Sequence, residues 1–181
     1  MSKELVIAQN NWEKIINGKE YGENKPVLIK VVAKLYVLGD NQFPYFSITG
    51  SIIKQDKRFR DPYLMGGCIH DEILKHFPQL APLVKVHLSG PDGVPMHAEA
   101  NARYWGGFST YSDGSPMGEY KPSMLAKHLQ ADKATAEAVR DGFSKGIAWD
   151  RITKDLGLIE LWSNQAGAAR ALLVTNERVC A

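Results

Sequence analysis

The sequence predicts an α+β protein, and three observations predict it. Strict alternation of apolar residues is confined to the N-terminal third, between Val27 and Lys54. From Ile69 onward the apolar spacing turns helical, with Gly and Pro between the runs. The chain has 181 residues, 44% of them hydrophobic and 23% charged, which suits a globular domain that builds its own core. Strands first and helices after point to α+β. The expected organisation is a single domain, 1–181, in three blocks: a short helix plus a β-hairpin (1–54), a His-rich helical block (66–107) and a helical tail (121–174).

The elements follow in order. From Asn10 to Gly18, Trp12, Ile15 and Ile16 stand at helical spacing, and Gly18, Gly22 and Pro26 should break that helix. From Val27 to Leu38, Val27, Ile29, Val31, Ala33, Leu35 and Val37 alternate onto one face of a strand, with Lys30, Lys34 and Tyr36 on the other. A turn at Gly39, Asp40 and Asn41 leads into a second strand, Tyr45 to Lys54, with Phe46, Ile48 and Ile52 sharing a face. The two should form an antiparallel hairpin. Gln55 to Arg60 reads as a charged, solvated loop. After Gly66 and Gly67, a helix from Ile69 to His76 carries Ile69, Ile73 and Phe77 on one stripe, and Pro78 stops it. Pro82 can start the next helix, whose apolar face holds Leu80, Leu83, Val84 and His87. Gly90-Pro91-Asp92-Gly93 is a turn, and His97 to Trp105 a helix ended by Gly106 and Gly107. Phe108 to Tyr120, rich in Gly, Ser and Tyr, is expected to be a mobile surface loop. Four helices should complete the chain: Ser123 to Gln130; a second capped by Asp132 and ended near Lys145 and Gly146; Trp149 to Leu156, closed by Gly157; and Leu158 to Leu173. On the last, Leu161, Trp162, Ala168, Ala169 and Leu172 should lie near one face.

Charge and cysteine content narrow the function classes. A net charge of +2, from 22 basic and 20 acidic residues, excludes a surface that mimics DNA phosphates throughout and excludes a general polyanion binder. Cys68 and Cys180 are the only cysteines, and Cys180 is penultimate, so no disulfide framework is expected and a reducing compartment is. Met1 to Asn11 has no basic segment followed by an apolar run, and no stretch approaches the roughly 20 apolar residues of a membrane span. The expected location is the cytoplasm, with no membrane partner.

Candidate chemistry concentrates between Cys68 and Asn101, which holds four of the five histidines. Cys68, His70, His87 and His97 are of the types that ligate zinc or manganese, with Asp92 nearby as an acid. Three histidines and an open position suffice to activate water, which makes a metal-dependent hydrolase or nuclease the enzymatic alternative. Each residue also has a structural role. His87 shares a face with leucines and suits a core histidine with a satisfied nitrogen. Asp71 and Glu72 complement the dipole at a helix start. Asp92-Gly93 is a turn signature, and Cys68 suits a buried thiol. No complete catalytic constellation is legible: there is no phosphate-binding glycine loop, no Gly-x-Ser-x-Gly elbow and no dinucleotide fingerprint. No catalytic residue is therefore assigned.

Leu125-Ala126-x-x-Leu129 followed by Thr135-Ala136-x-x-Val139 approximates a helix-turn-helix, with Gln130 where Gly usually turns the chain. Its second helix mixes Lys133 and Arg140 with Glu137 and Asp141, so a clear basic face is missing. DNA binding is a further alternative, contacting through Lys133 and Arg140.

One set of strings carries a resemblance. Phe46-Ser47-Ile48-Thr49-Gly50 is followed by Gly67-Cys68-Ile69-His70-Asp71-Glu72-Ile73, then His76-Phe77-Pro78, Leu80-Ala81-Pro82-Leu83, His87-Leu88, Asp92-Gly93 and Pro95-Met96-His97, with Asn101 and Tyr104. Over about a third of the chain this resembles a family of accessory proteins of unassigned activity encoded by bacteriophages, prophages and plasmids. Where such proteins carry Trp before the His-Leu pair, this chain has Val86. The resemblance implies a mobile-element accessory protein in the bacterial host's cytoplasm: a non-enzymatic protein-binding inhibitor of a host defence protein or ribonucleoprotein complex, of anti-CRISPR or anti-restriction type, needing no cofactor. The expected contact surface is the pair of loops, through Lys54, Lys57, Arg58 and Arg60 and through Tyr111 and Tyr120.

Overall fold

The alternation beginning at Val27 builds the centre of an antiparallel sheet. The structure is a computed structural model and describes residues 3–20, 23–39, 44–54, 59–61 and 69–174. Its strands are β1 (Glu4–Glu20), β2 (Glu23–Leu38), β3 (Tyr45–Lys54) and β4 (Phe59–Asp61), in the order β1-β2-β3-β4, each antiparallel to the next. Ile29, Val31, Ala33 and Leu35 are buried together with Phe46 and Ile48, the face that alternation predicts. Ile52 stands opposite Ile29 in the register. The fold is α+β.

The helix expected from Asn10 to Gly18 is instead part of β1. Helical spacing of Trp12, Ile15 and Ile16 coexists there with a period of two: Ala8, Asn10, Trp12 and Ile16 are covered to varying degrees, while Gln9, Asn11, Glu13 and Ile15 are exposed. A helix this short is marginal by itself. A strand finds β2 as a partner along its whole length, from Glu4 opposite Leu38 to Glu20 opposite Glu23. Gly18 and Pro26 do not interrupt the pairing. Pro26 lies beyond Val27, the last residue of β2 that pairs with β3, so its missing N–H takes nothing from that ladder. The register shifts between Val6 and Ala8, where Ile7 is a bulge residue. The loop expected from Gln55 to Arg60 ends in β4, with Arg60 opposite Ile53.

The chain divides into two compact units, one of residues 1–87 and 167–181, the other of residues 88–166. The boundary at 87/88 falls inside the block read as His-rich. In the first unit α1 (Ile69–His76), a 3-10 turn (Pro78–Leu80) and α2 (Ala81–Lys85) follow the sheet, and both helices pack against β3. Ile73, Phe77, Leu80, Leu83 and Val86 bury their side chains. Pro78 ends α1 because its ring cannot continue the ladder.

The second unit is helical: α3 (Ala98–Trp105), α4 (Pro122–Leu129), α5 (Lys133–Ser144), α6 (Trp149–Asp155) and the first part of α7 (Leu158–Val174). Asp132 caps α5 by accepting the Thr135 N–H at 2.7 Å. Gly146 and Gly157 follow the C-caps of α5 and α6 with φ of 72° and 68°, the left-handed conformation that glycine adopts without strain. The core joins Ala98, Ala102, Leu125, Leu129, Ala136, Val139, Phe143, Ile152, Leu158 and Trp162. The buried stripe of α7 keeps Trp162 and Ala169 of the expected set and differs in the rest. Leu158, Trp162, Ala166, Ala169 and Leu173 are buried, whereas Leu161 and Ala168 are exposed. Spacings of four, four, three and four hold one helical face; the expected set was rotated by about one residue.

Phe108 to Tyr120 is tied into a small hairpin rather than left as an open loop. Thr110 bridges Pro116, the Tyr111 N–H donates to Ser115 O and the Met117 N–H to Ser109 O. Asp113 accepts from Ser115 at the tip, which holds its carboxyl below the usual range.

Candidate functional site

Of the three candidate metal ligands among the described residues, the structure brings two together. His87 lies one residue past Val86, the C-cap of α2, and not on the helix where its apolar neighbours placed it. Among the described residues β4 pairs with three positions of β3, and away from them the Ile48 N–H donates to His87 Nδ1 at 3.3 Å. An Nδ1 that accepts carries no proton, so the neutral tautomer has its hydrogen on Nε2. His70, in the first turn of α1, sets its ring edge-on to His87, with centroids 5.0 Å apart and planes at 70°. Burial, and then the charge of His70, pull the His87 pKa below its ordinary value. The pair is therefore built around a neutral imidazole that closes a strand edge. His87 is half-buried, and one of its ring nitrogens is satisfied by a backbone donor.

His97 belongs to the other unit. It is exposed at the N-cap of α3, with φ 55°. His97 precedes the helix, so it does not share a helix face with Asn101 four residues on. Its carbonyl accepts the Asn101 N–H, and Asn101 Nδ2 donates to Met96 O at 3.3 Å. Asp92 is exposed in the turn whose Gly93 N–H returns to Gly90 O. Cys68 lies outside the described residues. Among the described residues, no three His, Cys, Asp or Glu side chains form a group that could hold a metal ion.

The expected contact loops are placed in part. Lys57 and Arg58 lie outside the described residues, and Lys54 and Arg60 stand on the paired strands β3 and β4. Tyr111 is 55% exposed on the 108–120 hairpin. Tyr120 is half-buried, with the Arg140 guanidinium 3.9 Å from its ring centroid. Arg140 also donates to Gly106 O, so this would-be DNA contact is engaged inside its own unit. The α4–α5 connection turns at Gln130, the C-cap of α4, which adopts φ 52°. Yet residues 88–166 carry eight basic and ten acidic side chains, leaving fourteen basic and ten acidic to the first unit. The second unit thus carries a formal charge of −2, which does not favour phosphate overall.

The surface that sequence reasoning missed is β1. Among the described residues it pairs with β2 alone, which makes it a 17-residue sheet edge. Leu5, Val6 and Ile7 are 65%, 40% and 55% exposed in succession, and Ile15 projects further along. Three consecutive exposed apolar residues are uncommon on a protein surface unless they bind something. Toward the middle the edge is guarded. Ile7 bulges, and the Asn11 N–H donates to the Asn10 carboxamide at 2.7 Å. The run Leu5-Val6-Ile7 was legible in the sequence, but a helix assigned just after it hid the strand. No known protein family, curated protein or solved structure matches the chain.

Proposed function

We propose that the chain is a non-enzymatic protein-binding inhibitor of a bacterial host defence complex, acting in the cytoplasm without a cofactor and making contact through the edge strand β1. The observation that carries the binding role is the exposed run Leu5, Val6 and Ile7 on a sheet edge that, among the described residues, pairs with β2 alone. Such an edge offers an extended partner segment main-chain hydrogen bonds and an apolar face at once. The choice of target class rests on the phage and plasmid resemblance. Among the described residues no helix is long and apolar enough to cross a membrane. The test is a pull-down and nuclease-protection panel of restriction and CRISPR effector complexes, with Ile7→Lys alongside wild type. Binding by wild type and its loss in Ile7→Lys, whose exposed position leaves folding intact, is the expected result. A panel with no captured complex and no protection of phage or plasmid would refute the proposal.

A second reading, binding of duplex DNA by α4 and α5, has the left-handed turn at Gln130 in its favour. It predicts salt-sensitive binding that weakens in Lys133→Ala. The metal-dependent hydrolase retains the His70–His87 contact, and zinc or manganese content of untagged protein tests it.

A further inference from the structure

A polar cluster inside the second unit gathers at the C-terminal end of α4. The last carbonyls of a helix have no intrahelical donor. Here α7 supplies two: Trp162 Nε1 donates to Leu129 O at 2.7 Å, and Gln165 Nε2 to Gln130 O at 3.2 Å. Gln130, held at φ 52°, turns its own side chain inward, and its Nε2 donates to the fully buried Ser89 Oγ at 2.9 Å. These bonds use the amide nitrogen of both glutamines. Both Oε1 atoms remain buried without a hydrogen-bond partner.

Rotating the carboxamides does not remove the difficulty. Turning Gln165 would set its oxygen against the Gln130 carbonyl oxygen. Turning Gln130 would let Ser89 donate to its oxygen, but would exchange an unpaired acceptor for an unpaired donor. Buried polar groups in native proteins are satisfied almost without exception, by protein or by ordered water. The two residues are already neighbours through the Gln165–Gln130 bond.

We propose that Gln130 and Gln165 form an internal hydration site, in which one water donates an O–H to each Oε1. Two sheltered neutral acceptors call for a small neutral molecule with two donors, and a buried water typically makes about three such bonds. The water links the left-handed turn after α4 to α7. It also accounts for a glutamine at a position where glycine would relieve the backbone, since a glycine there could neither reach Ser89 nor hold the water.

The test is a crystal structure of the full chain at near-atomic resolution, with water–protein cross-relaxation measured by NMR on the wild type and on Gln165→Met. The expected result is one ordered density peak within hydrogen-bond distance of both Oε1 atoms. A long-lived water signal at the Gln130 side-chain amide should accompany it, and Gln165→Met should lose that signal. Carboxamides bonded to each other or to other protein donors, with no peak between them, would overturn the proposal. The wild-type map decides the matter even if Gln165→Met does not fold.

Discussion

Asn10 is a buried polar residue on β1, and replacing it tests how the first unit is held together. It is 5% exposed; its Oδ1 accepts the Asn11 N–H at 2.7 Å and its Nδ2 donates to Leu172 O at 2.8 Å, in the last turn of α7. Asn10→Leu keeps the volume and removes both bonds. Each group that loses a buried partner costs about 1–3 kcal/mol, so about 2–5 kcal/mol is at stake out of a typical total of about 5–15. Asn10→Asp is the sharper variant. It keeps the acceptor for Asn11 but sets a carboxylate oxygen against Leu172 O, at the negative end of the helix dipole. At neutral pH it should cost at least as much as Asn10→Leu, about 3–5 kcal/mol for a buried charge set against a carbonyl oxygen. Protonation restores an O–H donor, so the folded state binds the proton more tightly than the unfolded chain and the pKa of the introduced carboxyl is raised. The deficit is then complete above the raised folded pKa and shrinks as pH falls through it. Urea unfolding at neutral and mildly acidic pH, with unchanged m-values, measures both variants. An Asn10→Asp unfolding free energy within about 0.5 kcal/mol of wild type at neutral pH, or a deficit that does not change with pH, would refute this account of the residue.

Other perturbations follow from the same geometry. In Gly93→Ala the new Cβ would stand 2.0 Å from Trp162 O, at a φ of 78°, so a loss of about 3 kcal/mol or more, or failure to fold, is expected in a thermal melt. Asp132→Ala should lower the melting temperature and fray the start of α5, because Thr135 loses its acceptor. Wild-type stability should fall as pH drops below the ordinary histidine value near 6.5: burial lowers the folded pKa of His87 and of His128, so the unfolded chain takes up protons first. Urea midpoints across that range should decline, and His87→Gln should flatten part of the decline; an equal slope in the variant would remove His87 from the explanation.

How far the fold was legible depends on how local each signal is. β3 and α1 have the limits read from the sequence, because Gly and Pro punctuate one and Pro78 stops the other. Asp132, Gly146 and Gly157 mark helix ends within a few residues of the bonds they make or permit. β1 was misread because its apolar residues satisfy two periods, and the choice between them is made by β2, a partner no local window contains. The stripe of α7 was displaced because Leu161 is as hydrophobic as Leu158, and only the core shows which one faces in. At the candidate site, composition singled out His70 and His87, but the N–H that fixes the tautomer of His87 belongs to Ile48, 39 residues earlier. Asn10 drew no notice, since nothing in an asparagine announces that it will be buried.

The first unit is discontinuous: residues 88–166 leave it and return before its last helical turns. On a growing chain this sets an order of events. Asn10 emerges 162 residues before Leu172, the carbonyl it will bind. At about 5–20 residues per second, ribosomal synthesis leaves the strand without that bond for roughly 10–30 s. Once β2 and β3 have emerged the sheet can form, but Asn10 still lacks its carbonyl partner while the helices of the inserted unit can already assemble. The closing segment of α7 therefore behaves as a late clasp on Asn10, whereas Leu5, Val6 and Ile7 stay exposed after it arrives and keep the edge open to strand pairing.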